Sequence, residues 1–171
     1  MRMATFTTGP YIEMATALGT LVTLKIEHDK TGEHQVLWRL PLTNDGAIAH
    51  VSIDDCEQYV RWLFDNQERA DGMDLAMTIE HVHYAELAAA FEHVTGHKAQ
   101  FINISSEERW KDGPMSSRGE NASGVQVNKG EPDSMTVREN FTGFWHLWRD
   151  SGYNKGLIKR DYKLLDAIHP K

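Results

Sequence analysis

The chain has 171 residues, 40% of them hydrophobic and 25% charged, with a formal net charge of −7. This size and composition suit one globular domain, and the acidic balance disfavours binding to nucleic acid because phosphate backbones would be repelled. A single cysteine, Cys56, and the absence of a signal-peptide-like start or an apolar run long enough to cross a bilayer predict a protein of a reducing compartment, cytoplasmic or alternatively nuclear, with no membrane contact.

The hydrophobic pattern predicts an α+β fold with a few short strands and three or four helices. Turn residues at Asp29-Lys30-Thr31-Gly32 indicate a hairpin between the second and third strands, and Gly96 is expected to end a helix as a left-handed C-cap. In chain order, the predicted elements are strand 3–8, a helical turn or two within 11–18, strands 20–27, 34–40 and 47–52, helix 54–66, strand 73–79, helix 83–94, strand 98–104, and helices 135–150 and 160–167.

The helix predicted at 54–66 has the clearest pattern. Asp54 is expected to cap it, with Glu57 three residues later as the partner of a capping pair. The acidic pair Asp54-Asp55 is therefore interpreted as capping rather than catalytic. Cys56 is interpreted as a buried, inert thiol. One apolar stripe is expected to face the core and consists of Cys56, Tyr59, Val60, Leu63 and Phe64.

Residues 111–134 are rich in Gly, Ser, Asn, Pro and charged residues, which indicates a long mobile loop. The helix that follows carries four aromatic residues at helical spacing. We interpret this stripe as core, and a partner surface or pocket lid is the alternative. The stripe consists of Phe141, Phe144, Trp145 and Trp148.

The motifs of nucleotide binding and of common catalytic sites are absent from the sequence. There is no Gly-x-Gly-x-x-Gly, no Gly-x4-Gly-Lys and no Gly-x-Ser-x-Gly. None of the tyrosines has a lysine four residues later, so the Tyr-x3-Lys pair of short-chain dehydrogenases is also missing. The sequence thus contains neither a dinucleotide fingerprint nor a complete catalytic constellation.

The histidine pairs could suggest a metal site. His81 and His83 are placed at a strand-to-helix junction without an obvious third ligand, so solvated or capping roles are favoured. His93 and His97 are separated by Gly96 and lack the glutamate of zinc proteases. No metal ligand is therefore predicted.

The segment Gly9-Pro10-Tyr11-Ile12-Glu13-Met14 is the strongest site candidate. A strand is predicted to end there, and Gly-Pro turns the chain. Tyr11 and Glu13 would then emerge at the carboxyl end of the strand, where α/β sheets bind ligands. A plain strand-to-helix turn is the alternative.

Several short motifs occur together in a fixed order. They are Gly9 to Met14, Asn44-Asp45-Gly46, Val51-Ser52-Ile53-Asp54-Asp55, Phe91 to Ala99, Lys159-Arg160-Asp161-Tyr162 and Ile168-His169-Pro170. This ordered set resembles the C-terminal half of the NmrA-like family, which are atypical short-chain dehydrogenases common in filamentous fungi. The family has a Rossmann domain that binds NAD(P), followed by a smaller α+β substrate domain.

The resemblance implies a C-terminal substrate domain over residues 1–171 that lacks the N-terminal dinucleotide-binding half. Gly9, Pro10, Tyr11 and Glu13 would line the substrate cleft. Tyr11 and Glu13 would be the catalytic candidates, with Glu13 orienting Tyr11. No cofactor-binding residue can be carried over, so NAD(P) is expected of the family and not of this chain alone.

Three functions follow from the resemblance. The first is a truncated NAD(P)-dependent oxidoreductase similar to those of fungal secondary metabolism, acting on a small molecule. The second is a non-catalytic regulatory or partner-binding module. The third is a cofactor-independent isomerase or cyclase that reuses the cleft. Because strand 3–8 would lack its neighbours in a parallel sheet, self-association is also expected.

Overall fold

The computed structural model describes residues 2–124, 134–155 and 157–170. The strands are β1 (Thr5–Thr7), β2 (Lys25–His28), β3 (His34–Leu40), β4 (Ile48–His50), β5 (Asp74–Ala76), β6 (Glu80–Val82) and β7 (Ala99–Asn103). The helices are α1 (Ile53–Asp65), α2 (Gln67–Ala70), α3 (Tyr84–Thr95), α4 (Ser106–Asp112), α5 (Val137–Arg149) and α6 (Tyr162–Ile168). Short 3₁₀ turns occur at Ile12–Ala15, Ser116–Arg118 and Gly152–Asn154.

The strands form three small sheets. β1 pairs in parallel with β5, and β4 pairs antiparallel with β6. The third sheet has the order β2-β3-β7, with an antiparallel hairpin between β2 and β3 and a parallel pair between β3 and β7. The predicted hairpin is confirmed, and the Asp29 carboxylate closes it by accepting from the Thr31 and Glu33 amides at 2.8 and 3.0 Å.

The N-terminal strand has a partner that the sequence interpretation does not assign to it. Residues Thr5, Phe6 and Thr7 lie beside Asp74, Leu75 and Ala76 in a parallel register. The expectation that strand 3–8 lacks its neighbours in a parallel sheet is therefore wrong for one edge, since β5 pairs with it. The predicted strand 73–79 also divides, because β5 ends at Ala76 and β6 begins at Glu80.

The start of α1 differs from its prediction. The helix begins at Ile53, so Ser52 occupies the N-cap position and makes no side-chain capping bond. Asp54 lies inside the first turn, where its charge still favours the positive end of the helix dipole. The predicted Asp54–Glu57 capping pair is therefore wrong. Phe64, from the predicted apolar stripe, has 71% of its surface exposed.

The end of α3 and the start of α5 carry the residues that helix caps favour. Gly96 ends α3 in the left-handed region at φ 73°, as expected. The Thr136 hydroxyl and the Glu139 carboxylate form a capping box at the start of α5.

α4 is an additional helix that the sequence interpretation lacks, although Ser105 and Glu108 carry the Ser-x-x-Glu signal of a helix start. The Ser105 hydroxyl accepts from the Glu108 amide at 3.0 Å. The loop predicted at 111–134 begins at the end of this helix. Residues 125–133 of that loop lie outside the described residues.

The larger core lies between the β2-β3-β7 sheet and helices α3 and α5. Val36, Trp38 and Leu40 alternate along β3 toward this core. Trp145 and Trp148 of α5 are buried there, so the core interpretation of the aromatic stripe is the one that fits the structure. A second core packs α1 and α6 against the β1-β5 pair through Tyr59, Leu75 and Leu165.

Candidate ligand site at the end of β1

The candidate segment begins immediately after β1. Gly9 packs so closely on β4 that a Cβ there would overlap the Ala49 carbonyl oxygen. Any other residue would push the segment off β4, so this position needs glycine because of space rather than because of backbone conformation.

Backbone hydrogen bonds then fix the segment in place. The Val51 amide donates to the Pro10 carbonyl at 3.0 Å, and the Ile12 amide donates to the Val51 carbonyl at 2.8 Å. Tyr11 and Val51 form an isolated parallel bridge. Residues 10–12 therefore continue from the parallel β1-β5 pair onto the edge of the β4-β6 pair.

The residues that follow β5 lie beside the candidate segment. Because β1 and β5 are parallel, their carboxyl ends point the same way, and the segments that follow both strands lie together. The Thr78 hydroxyl donates to the His50 carbonyl at 2.6 Å, and Arg160 donates from Nε to the Met77 carbonyl at 3.3 Å.

Tyr11 is the side chain that this arrangement leaves available. Its surface is 40% exposed. Its hydroxyl has no hydrogen-bond partner within residues 2–124, 134–155 and 157–170. An exposed phenol that is held by fixed backbone can donate a hydrogen bond to a ligand without first breaking one.

Glu13 has a partner far away in the sequence. Its Oε1 accepts from the Ile53 amide, the first of α1, at 3.1 Å. The carboxylate thus performs the capping role that was predicted for Asp54. No hydrogen bond joins Glu13 to the Tyr11 hydroxyl in the described part of the chain, so the geometry does not support Glu13 as the group that orients Tyr11.

Sequence reasoning missed a buried hydrogen-bonded chain behind the segment. His50 is completely buried, with Nδ1 2.9 Å from the Pro10 carbonyl and Nε2 3.0 Å from the Tyr84 hydroxyl. A carbonyl can only accept, so Nδ1 carries the proton and Nε2 accepts from Tyr84. Pro10, His50 and Tyr84 therefore form one polar chain through the core.

Burial fixes the protonation states of His50 and Tyr84. It lowers the pKa of His50 to about 4, so the ring is neutral at neutral pH. It also raises the pKa of the Tyr84 phenol, which stays protonated. His50 lies within a predicted strand, and no motif distinguishes it from a core residue. Its partners are 40 and 34 residues away, so spacing could not have revealed them.

Of the other candidates, His81 has hydrogen-bond partners, whereas both ring nitrogens of His83 are buried without one in the described residues. His81 and His83 are both buried, so the predicted solvated role is wrong for them. The side chain of His83 makes no capping bond at the start of α3, while His81 Nδ1 lies 2.7 Å from the Tyr162 hydroxyl. Within the described ranges, no group of three His, Cys, Asp or Glu side chains could hold a metal ion.

Cys56 is partly buried, and its thiol pKa is raised by burial and by the nearby Asp55 carboxylate. The thiolate is the reactive form, so this environment disfavours a nucleophilic role.

The parallel β1-β5 pair, with helices packed against it, is part of a Rossmann-type α/β fold, and the β2-β3-β7 sheet with α3 and α5 forms an α+β unit beside it. A sequence model of the NmrA-like family matches residues 3–140, and the chain belongs to this family. No curated protein is similar enough in sequence to count as a match.

Solved structures show the same fold. One is NmrA, a negative transcriptional regulator, in complex with NAD, and another is NmrA in complex with NADP. Each is 12% identical in sequence, with a TM-score of 0.57 over 99% of this chain and 48% of the NmrA chain. A mutant NmrA gives the same score, with 49% of its chain covered. The chain thus spans about half the length of the NmrA structures that it matches.

Among the described residues, no helix is long and apolar enough to span a membrane.

Proposed function

We propose that this chain forms the ligand-side half of an NmrA-like, NAD(P)-responsive binding protein. The observation that carries the proposal is the Tyr11 hydroxyl, which is exposed and unpartnered within the described ranges at the carboxyl end of a parallel strand pair. Ligands of open α/β sheets bind at that end. The NAD and NADP complexes of NmrA support the choice of ligand class.

Binding suits this site better than catalysis. General acid-base catalysis is most effective when a neighbouring group tunes the pKa of the reacting side chain toward the working pH. The Glu13 carboxylate is occupied by the Ile53 amide, and both ring nitrogens of His50 are occupied by Pro10 and Tyr84. Within the part of the chain that the structure describes, Tyr11 is left as a donor without an associated base, which suits recognition of a bound ligand.

The dinucleotide phosphates would be held by a separate glycine-rich domain. The 171 residues contain no glycine-rich loop of the kind that approaches a pyrophosphate. Residues 1–171 would act as one substrate-side unit next to such a domain, in a reducing compartment, with Gly9, Pro10 and Tyr11 lining the shared cleft.

An NAD(P)-dependent oxidoreductase is the second candidate. It is favoured by the same free Tyr11 hydroxyl, which could donate a proton to a carbonyl oxygen as hydride arrives from the dinucleotide. The substrate would then be a small carbonyl compound.

A fusion protein distinguishes the two candidates. The chain is joined behind the dinucleotide-binding half of an NmrA-like protein, and NADPH oxidation is followed by absorbance with a panel of aldehydes and ketones. A binding protein gives no oxidation above the rate of the dinucleotide-binding half alone. Steady oxidation that disappears in Tyr11→Phe would establish the oxidoreductase and overturn the proposal. Tyr153→Phe, an exposed tyrosine on a separate 3₁₀ turn, is the matched control.

A further inference from the structure

The β2-β3-β7 sheet has a second face, which carries a cavity of about 590 Å³. Val36, Trp38 and Leu40 point into the core, so Leu37 and Arg39 point the opposite way. Leu37 is nevertheless only 3% exposed and belongs to neither core. It forms the floor of the cavity, and α4 with the residues after it forms one wall.

A partly buried cation lies in this wall. The Arg109 guanidinium donates to the Arg39 carbonyl at 3.1 Å and to the Leu21 carbonyl at 2.6 Å. It also lies over the Trp145 ring, 5.8 Å from the centroid. In the described ranges, no carboxylate forms an ion pair with it. Burial lowers its pKa to about 10, which still leaves the group charged at neutral pH.

The Arg109 guanidinium has more N–H donors than these two hydrogen bonds use. Arginine carries five N–H donors, and the two bonds to carbonyl oxygens use two of them. A partly desolvated cation without an anionic partner is unfavourable, and an anion that pairs with it would offset part of that cost.

The remaining charges around the cavity restrict the kind of anion. Lys25 pairs with Glu27 at 2.8 Å, and Arg39 pairs with Glu108 at 2.5 Å, so these four groups cancel. Asp112 adds a further exposed carboxylate to the lining. The three cations and three carboxylates of the lining sum to zero charge, so a singly charged carboxylate is opposed less than a doubly charged phosphate and can still pair with Arg109.

Another part of the lining is apolar. Leu24, Leu37, Ile104 and Pro114 offer a hydrophobic surface beside the arginine.

We propose that this cavity binds a small monocarboxylic acid with an apolar body. The carboxylate pairs with Arg109, and the hydrocarbon part lies on Leu37 and Ile104. The site is separate from Tyr11, and the inference does not depend on the function proposed for that segment.

Octanoate is the probe, titrated into the whole chain by calorimetry and followed by the methyl NMR signals of Leu37 and Ile104. The expected result is saturable binding of one octanoate per chain, with both methyl signals shifting. Octanol lacks the charge and octyl phosphate carries about two charges, so each is expected to bind at least about tenfold more weakly. Octanol that binds as tightly as octanoate would overturn the proposal, as would the absence of saturable octanoate binding.

Three substitutions test whether octanoate binds in this cavity. Ile104→Trp fills the cavity and leaves Arg109 in place, so octanoate binding should be lost while the melting temperature stays within a few degrees. Arg109→Lys keeps the charge and loses the planar fork, so binding should weaken by about tenfold. Arg61→Gln removes an exposed arginine of α1 and should change nothing. Unchanged binding in Ile104→Trp would place octanoate elsewhere, whether or not the Arg109 variant folds.

Discussion

At the scale of single residues, Gly9 is the position where the surrounding backbone leaves space only for glycine. Its α-carbon faces the Ala49 carbonyl with no room for a methyl group. We expect Gly9→Ala to lower the free energy of unfolding by about 2–3 kcal/mol, because backbone must move to relieve the overlap. Urea denaturation measures this.

Gly143 provides the matched control. It lies inside α5, where a Cβ would meet no other atom within 4 Å, so Gly143→Ala should raise stability by about 0.5–1 kcal/mol. A neutral Gly9→Ala variant would show that residues 9–13 are not held against β4 as described.

His50 gives the molecule a pH dependence. Its pKa is about 4 in the folded chain and 6.5 ordinarily, so the unfolded chain binds more protons between these values. Stability contributed by the neutral ring is therefore complete above pH 6.5 and is lost as the pH falls toward 4. The expected loss is about 3 kcal/mol. His81, whose pKa burial also lowers, adds in the same direction.

The urea midpoint measured from pH 7.5 to 4 tests this in two variants. His50→Asn should show a shallower pH dependence than the wild type, because the titrating ring is gone. Tyr84→Phe keeps the ring and loses the donor to Nε2, so it should lose about 1–2 kcal/mol at neutral pH, where the neutral ring accepts that hydrogen bond. Equal slopes in wild type and His50→Asn would contradict the assignment.

At the scale of elements, the start of α1 depends on a residue 40 positions earlier. The Glu13 carboxylate accepts from the Ile53 amide, while the Ser52 side chain makes no capping bond. We expect Glu13→Ala to cost about 1 kcal/mol and Ser52→Ala less than about 0.5 kcal/mol. Thermal unfolding of the two variants compares them, and the opposite order would mean that Ser52 is the working cap.

α1 also shows which features of the structure can be predicted from the sequence. Its apolar spacing places α1 within one residue of its start, because periodicity is a local property of the chain. Its cap cannot be assigned locally because Glu13 comes from another part of the fold. Likewise, Gly9, Pro10 and Tyr11 are identifiable from local turn chemistry, whereas His50 and Tyr84 join them only through tertiary contacts.

At the scale of the whole molecule, β1 has one paired edge and one open edge. Thr5 and Thr7 bond toward β5, so the backbone of Ala4 and Phe6 points the other way. No strand of the described residues covers that side. We expect self-association through this edge, measured by sedimentation at micromolar concentrations.

Ala4→Pro should reduce that association, since it removes an outward N–H and leaves the β5 bonds intact. Val94→Lys, an exposed site on α3, is the control and should leave association unchanged. A wild-type chain that is monomeric throughout, with a cooperative melt, would contradict the expectation.

We propose that Tyr11 belongs to a dinucleotide-linked cleft of which this chain supplies one side. Calorimetric titration of NADP⁺ into the fusion protein and into the chain alone measures this. The expected result is saturable binding by the fusion, about three- to tenfold weaker in Tyr11→Phe, and none by the chain alone. Equal affinity of the wild-type and Tyr11→Phe fusions, or saturable binding by the chain alone, would contradict it.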